Sequence, residues 1–295
     1  MALFGKNEAA PNAEAMAYRQ SLVENMVFEL IPLKSAPDAI AALPANSHVS
    51  VTASPVKGLD ATKELTADVM AAGHTAVPHI AARLVESKEH TAELAKWMKD
   101  EGLTKFFCVA GDAEEPVGPY EGAHRFLSDL FEQDHGLETV GITAYPDGHA
   151  LISSDVLHEQ LHAKQALLAE AGVQGWASTQ MCFDTNLTTT WLKTERDGGL
   201  TLPVQLGIPG VVDKAKLMTM GVRLGVGASL RFLKKNRAAV TKLMAPGAYD
   251  PDDILLPMTN DLEDLGISGL HVFTFNQVEN TESWRQQVIN EASIQ

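Results

Sequence analysis

Short apolar runs alternate with longer amphipathic stretches along almost the whole chain, and this limits the fold more than any other feature. The runs cover residues 26–31, 48–52, 75–80, 105–110, 138–144, 175–183, 202–208 and 269–274. Each is bounded by turn residues and is short enough to be a buried strand. Between them lie helical patterns at 35–43, 60–72, 87–101, 122–133, 155–171, 186–196, 213–220, 225–243 and 251–265, with a last one at 281–292. Several stop at a glycine placed to end a helix, among them Gly73, Gly102, Gly172 and Gly266. Ser35 stands where it would cap the first of these helices. Eight strands alternating with helices predict an α/β fold, a (β/α)8 TIM barrel with extra helices before the last strand. The competing fold is an open doubly wound sheet, but no GxGxxG follows the first strand. Residues 1–24 are expected to form a loose N-terminal arm, with a helix around 14–24, and residues 25–295 the barrel.

At 295 residues and 45% hydrophobic, the chain can bury one large core. A net charge of −15 argues against nucleic acid, whose phosphates call for an excess of Lys and Arg, and against an anionic membrane surface. No run approaches the length of a membrane span. Residues 1–20 carry Lys6, Glu8 and Glu14 and lack the apolar core of a secretory signal. Cys108 and Cys182 both sit in apolar runs, which suits small core residues in a reducing compartment. The expected location is the cytoplasm. Assembly into a homo-oligomer is left open by the sequence.

In a barrel the C-terminal strand ends form the functional face. Read in order they deliver Glu29, Thr52, His79, Asp112, Tyr145 with His149, Gln180, and Asn276. The strand starts show no comparable concentration. Glu29 is an acid in an apolar run, costly unless paired or chemically employed. Each residue has a plain structural reading as well. Thr52 and Asp112 can cap turns, His79 can be a satisfied core histidine, and Glu29 can be held by a cation or by backbone N–H groups. Gln180 is harder to explain as structure, because a buried amide needs several partners. A metal is not expected, since no strand carries an HxH pair and His149, His158 and His162 fall in a loop and a helix. A covalent lysine is not expected either, since no strand ends in Lys.

These residues resemble the methylenetetrahydrofolate reductase family of the bacterial type, a flavin-dependent (β/α)8 barrel. The resemblance covers about residues 26–290. It rests on Phe28-Glu29-x-x-Pro32, Val49-Ser50-Val51-Thr52, Pro78-His79, Gly111-Asp112, Ala144-Tyr145-Pro146-x-x-His149, Thr179-Gln180-x-x-Phe183-Asp184, Ile208-Pro209-Gly210 and Phe273-x-Phe275-Asn276. It implies Glu29 as the general acid that protonates the folate nitrogen and opens the five-membered ring to an iminium. Asp112 is implied between flavin and pterin, and Gln180 on the pterin edge. Asn276 is implied at the substrate, and Arg231, in a basic run that reads equally well as a solvated helix face, is a further candidate there. Thr52, His79, Asp112, Tyr145, His149 and Lys164 are implied at FAD. The substrates implied are tetrahydrofolate derivatives, with hydride passing from NADH or NADPH through the flavin to the folate carbon. The cellular direction, toward methyl or toward methylene, is not in the sequence. Departures are also present. Ala110 stands where the family has Arg, and Gln277 where a tail-binding Arg is frequent. The helix after His149 carries Asp155, His158, His162 and Lys164 at spacings unlike the family's phosphate-binding set. A flavin-free variant with direct nicotinamide transfer and a non-catalytic folate-binding protein are the alternatives.

Overall fold

The computed structural model describes residues 11–223 and 247–291. Eight parallel strands run β1 (Val27–Leu30), β2 (His48–Val51), β3 (Thr75–Ala81), β4 (Lys105–Val109), β5 (Thr139–Ala144), β6 (Gln174–Thr179), β7 (Val204–Pro209) and β8 (Ile267–Phe273). They pair in sequence order and close on themselves where β8 meets β1, with Glu29 opposite Phe273. The helices between them are α2 (Ala36–Ala41), α3 (Gly58–Ala71), α4 (Lys88–Asp100), α5 (Ala123–Phe131), α6 (Ser154–Glu170), α7 (Thr185–Asp197), α8 (Lys214–Arg223) and α9 (Asp252–Met258). α1 (Ala13–Glu24) precedes the barrel and α10 (Val278–Glu291) follows it. The (β/α)8 barrel expected from the alternation is the fold observed. The extra helix expected at 225–243 lies outside the described residues. Among the described residues no helix is long and apolar enough to cross a membrane.

The strand pleat divides the core in two. Phe28, Leu30, Val49, Val51, Phe106 and Ile142 point outward and pack beneath the helices as one continuous apolar layer. Cys108 belongs to this layer, and burial pushes its thiol up to about 12. The alternate residues point into the barrel, where Val77, Phe107 and Trp176 form a small separate cluster. Both strand faces are covered, which is why the runs read as almost continuously apolar. The glycines expected to end helices do so, Gly73 at φ 86° and Gly102 at φ 67°.

Two expectations need correction. The long helix expected over 251–265 is regular only as α9, because Pro257 withholds a backbone N–H and the chain turns after Met258. The N-terminal arm is not loose over its second half. α1 starts on Asn12, whose Oδ1 accepts from the Ala15 N–H at 2.8 Å. It buries Leu22 and Val23, and the Tyr18 hydroxyl donates to the Ile267 carbonyl at the start of β8 (2.9 Å). Arg19, buried in the same helix, pairs with Asp252 of α9. Removing Arg19 leaves the partly buried Asp252 carboxylate without its cation. Arg19→Ala is therefore expected to cost about 3 kcal/mol, read as a lowered urea midpoint with an unchanged slope. A change within experimental error would mean that α1 contributes nothing to the barrel.

Candidate functional site

The β1–β8 seam builds the centre of the site. Glu29 points into the barrel and is only 6% exposed. Its carboxylate Oε2 lies 2.9 Å from Nε2 of His271 on β8. Its backbone carbonyl accepts from the Thr274 hydroxyl at 2.6 Å. Beside it His79, also buried, has its Nε2 2.5 Å from the Ser50 hydroxyl. The two imidazoles are 5.9 Å apart between centroids, and Phe107 and Phe273 stand against them. Trp176 stacks on Phe107, and its indole N–H is buried with no hydrogen-bond partner among the described residues. The lumen thus holds one acid, two imidazoles and aromatic walls. Glu29, His79 and His271 have donor atoms within 4.8 Å of one another, a spacing that a divalent cation could also span.

His79 was expected as a flavin contact, and the structure turns it into the lumen. Burial, followed by the neighbouring His271, holds its pKa well below the ordinary value of 6.5. It is therefore neutral in the folded protein at neutral pH. The unfolded chain takes up this proton near pH 6.5 and the folded chain does not. Stability from this group is therefore complete above pH 6.5 and is lost as pH falls below it. The expected slope is up to about 1.4 kcal/mol per pH unit, and His79→Asn should remove that part of the pH dependence in urea titrations. An identical slope in the variant would refute the neutral assignment.

The rim at the C-terminal strand ends gathers several of the other expected residues. Tyr145 follows β5 and its phenol is held above the usual range, first by burial, with Asp112 adding to the effect and a Thr143 hydrogen bond opposing it. His149 sits edge-on to the Tyr145 ring at 5.5 Å. Gly111 before Asp112 has φ 95°, and a Cβ there would meet Ala81 Cβ at 2.9 Å, so the turn that presents Asp112 needs glycine. Thr52 follows β2, its N–H donating to Leu30. Gln180 is the first residue past β6, its N–H donating to Ala144 and its own Oε1 accepting from the Met181 N–H.

Two expected residues stand elsewhere. Asn276 has φ 62° and turns its amide back onto the chain. Its Oδ1 accepts from the Ile31 N–H and its Nδ2 donates to the Ile31 carbonyl and the Ser35 hydroxyl, at 2.8, 2.9 and 3.1 Å. It therefore braces the end of β1 and holds Glu29 in place. Ser35 stands at the N-cap of α2 but makes no capping bond of its own. Lys164 is buried on the inner side of α6 beside Cys108, with its pKa lowered by burial to about 8. Arg231 lies outside the described residues.

At the opposite, N-terminal mouth the strand starts were expected to show no comparable concentration of polar groups. This mouth holds a cavity of about 240 Å³, lined among others by His48, Lys105, Gln174 and Gln205 and reaching Ser50 and His271. His271 therefore touches Glu29 on one side and this polar cavity on the other.

A flavin dinucleotide asks for an aromatic and polar rim and for cations at its diphosphate. Tyr145, His149 and Asp112 suit the first demand. The second is not met on α6, whose single lysine is Lys164 and which has no arginine. Other cations at this end are committed to carbonyls: Arg83 to Glu114 and Glu121, Lys57 to Pro32, Lys216 to Phe275. Among the described residues the rim suits a flavin ring, whereas α6 does not supply the cations of a dinucleotide's diphosphate.

An acid, imidazoles and aromatic walls in the lumen, below a rim of polar strand-end residues, make the C-terminal end of this (β/α)8 barrel the candidate site. The family model described as methylenetetrahydrofolate reductase matches residues 36–288. The chain belongs to the methylenetetrahydrofolate reductase family. Among solved structures it is similar to an uncharacterized protein from Clostridium thermocellum that binds two copies of 5-methyl-5,6,7,8-tetrahydrofolic acid. That match has a TM-score of 0.57 and 10% identity, covering 95% of this chain and 99% of the other. A structure from Toxoplasma gondii ME49 described as a deoxyribose-phosphate aldolase matches at TM-score 0.45 and 14% identity, over 94% of this chain and 99% of that one. The likeness to the Clostridium thermocellum structure is one of fold.

Two residues that carry the site were not singled out in the sequence. His271 was visible as a lone polar residue in the apolar run of β8, and the period-two pattern would have aimed it inward. Thr274 carried no signal beyond its place at a strand end.

Proposed function

We propose that this protein interconverts 5,10-methylene- and 5-methyltetrahydrofolate, taking hydride directly from a reduced nicotinamide nucleotide. The observation that carries this reading is the buried Glu29–His271 pair inside a barrel of this family. In the reducing direction a proton moves from the Glu29 carboxyl to a folate nitrogen as the adjoining carbon–nitrogen bond breaks. The iminium carbon so formed accepts hydride, the nicotinamide is oxidised, and the methyl group results. His271 can return the proton to Glu29, since it faces the polar N-terminal cavity. An acid buried this deeply is reached only by a ligand that enters the barrel, so bulk water competes poorly for its proton. The Trp176 N–H and the Gln180 amide suit the pterin edge, and Tyr145 and Asp112 suit the ring that follows. Direct transfer is favoured by the missing cations on α6.

The retained Tyr145, His149 and Asp112 rim favours a second reading, in which a flavin carries the hydride. An absorbance spectrum separates the two. The purified protein is expected to be colourless and to oxidise NADH or NADPH, without air, only when methylenetetrahydrofolate is present. A flavin band that bleaches with the nucleotide and returns with the folate would overturn direct transfer. No oxidation with either nucleotide and no folate binding would overturn the whole reading.

A further inference from the structure

A second donor cluster lies outside the barrel, between α6 and α7. His158 and His162 are one helical turn apart on α6 and project from the same face. Glu195 on α7 faces them. His158 Nδ1 lies 2.8 Å and His162 Nε2 2.9 Å from the same carboxylate oxygen, Oε2 of Glu195. The imidazole centroids are 4.4 Å apart, and the three donor atoms all lie within 4.8 Å of one another. Glu195 is buried, whereas the His158 side chain is 49% exposed. The carboxylate is the floor of a small bowl that opens to solvent.

We propose that His158, His162 and Glu195 bind a divalent transition metal of the zinc class and clamp α6 to α7. The charges favour it. Among the described residues the ion pairs of Glu195 are with these two imidazoles and with no Lys or Arg. One divalent ion binds all three donors and balances the carboxylate. Two imidazole nitrogens and one carboxylate oxygen suit zinc, cobalt, nickel or copper better than magnesium or calcium. Tetrahedral bonds of about 2.1 Å set neighbouring donors roughly 3.4 Å apart, so the two contacts to Glu195 need to lengthen by about half an ångström.

The bowl is also built by neighbours that take no part in binding. Gln165 of α6 donates to the Gly199 carbonyl and accepts from the Thr201 and Leu202 N–H groups, fixing the end of α7 onto α6. The His158 ring lies against Gly198, where an added Cβ would stand 3.2 Å from its Cε1. The open side leaves room for water as a further ligand. The role assigned is structural, and it is independent of the folate reading because the cluster lies on the helix layer, outside the lumen.

The test uses the full chain stripped with a chelator, then titrated with Co²⁺ and with Zn²⁺. The expected result is one equivalent of Co²⁺ with a visible d–d band, displaced by Zn²⁺, and a thermal midpoint that rises with added Zn²⁺. His158→Asn with His162→Asn should weaken Zn²⁺ binding by roughly a hundredfold or more, at least the loss that outer partners alone can cause. The single His158→Asn variant, at a half-exposed position, provides the same comparison should the double variant not fold. His79→Asn in the lumen should leave the Co²⁺ band in place. Stoichiometric binding that survives loss of the α6 histidines, binding that vanishes only with His79→Asn, or no Co²⁺ band at all would each overturn the proposal.

Discussion

Replacing Glu29 by glutamine should abolish turnover while leaving folate affinity nearly unchanged. Glutamine keeps the shape of the side chain and can still hydrogen-bond His271, so the seam between β1 and β8 stays closed. The Thr274 bond to the residue 29 carbonyl does not depend on the side chain at all. What is lost is the proton. General acid catalysis contributes about 10²–10⁴ in rate, and the loss should appear in kcat and kcat/KM alike, because the acid acts in the transition state. Binding of 5-methyltetrahydrofolate, read by fluorescence or calorimetry, should remain within a few-fold. Unchanged turnover would remove Glu29 from the chemistry and return it to a structural role at the seam. His271→Asn provides the companion measurement. If His271 returns the proton, kcat should fall less than in the glutamine variant, and its pH profile should change shape. A uniform loss with the profile preserved would reduce His271 to a brace.

Residue 29 and residue 271 are 242 positions apart, and only closure of the barrel brings them together. This marks the boundary of what could be read in advance. The alternation of short apolar runs with helices carries the fold, because local propensity and burial agree at nearly every element. The strand-end rule then locates Glu29, Asp112, Tyr145, His149 and Gln180 at one end of the barrel. It does not say where a side chain turns afterwards. Asn276 enters the left-handed region and bends back to Ile31, which no spacing argument shows. Lys164 falls on the inner stripe of α6, where its register on the helix outweighs its charge. The His158–His162 pair was visible as a helical spacing, but its third partner comes from a different helix. The helix expected at 14–24 is present as α1, but its docking was not legible, because the sequence is weakly amphipathic and its anchors, Arg19 and Tyr18, reach residues near the far end of the chain.

Gly207→Ala is expected to be the most damaging small substitution in the barrel. Gly207 lies on β7 opposite His271, and its alternation directs any side chain into the lumen. A Cβ there would stand 2.0 Å from the Thr179 backbone carbonyl oxygen and 2.9 Å from the Phe273 ring. The ring can move, whereas the carbonyl belongs to the end of β6. β6 and β7 are in register only at Ala177–Val204 and Ser178–Gln205. Beyond that the Thr179 hydroxyl takes over and accepts from the Gly207 N–H at 2.8 Å. Relieving the clash pushes the two strands apart where only that side-chain bond holds them. The methyl group therefore costs both overpacking and a hydrogen bond between buried groups, about 4 kcal/mol or more. Urea unfolding should show a midpoint shift far larger than that of a matched Gly→Ala change at half-buried Gly122, where a Cβ meets nothing within 4 Å. Displacement of Phe273 would also reach His271, whose ring lies 5.1 Å from it. Any residual Gly207→Ala protein that folds should then show a lowered kcat. A variant of near-native stability would mean that the β6–β7 seam gives way freely and that close approach of the two backbones is not what keeps glycine there.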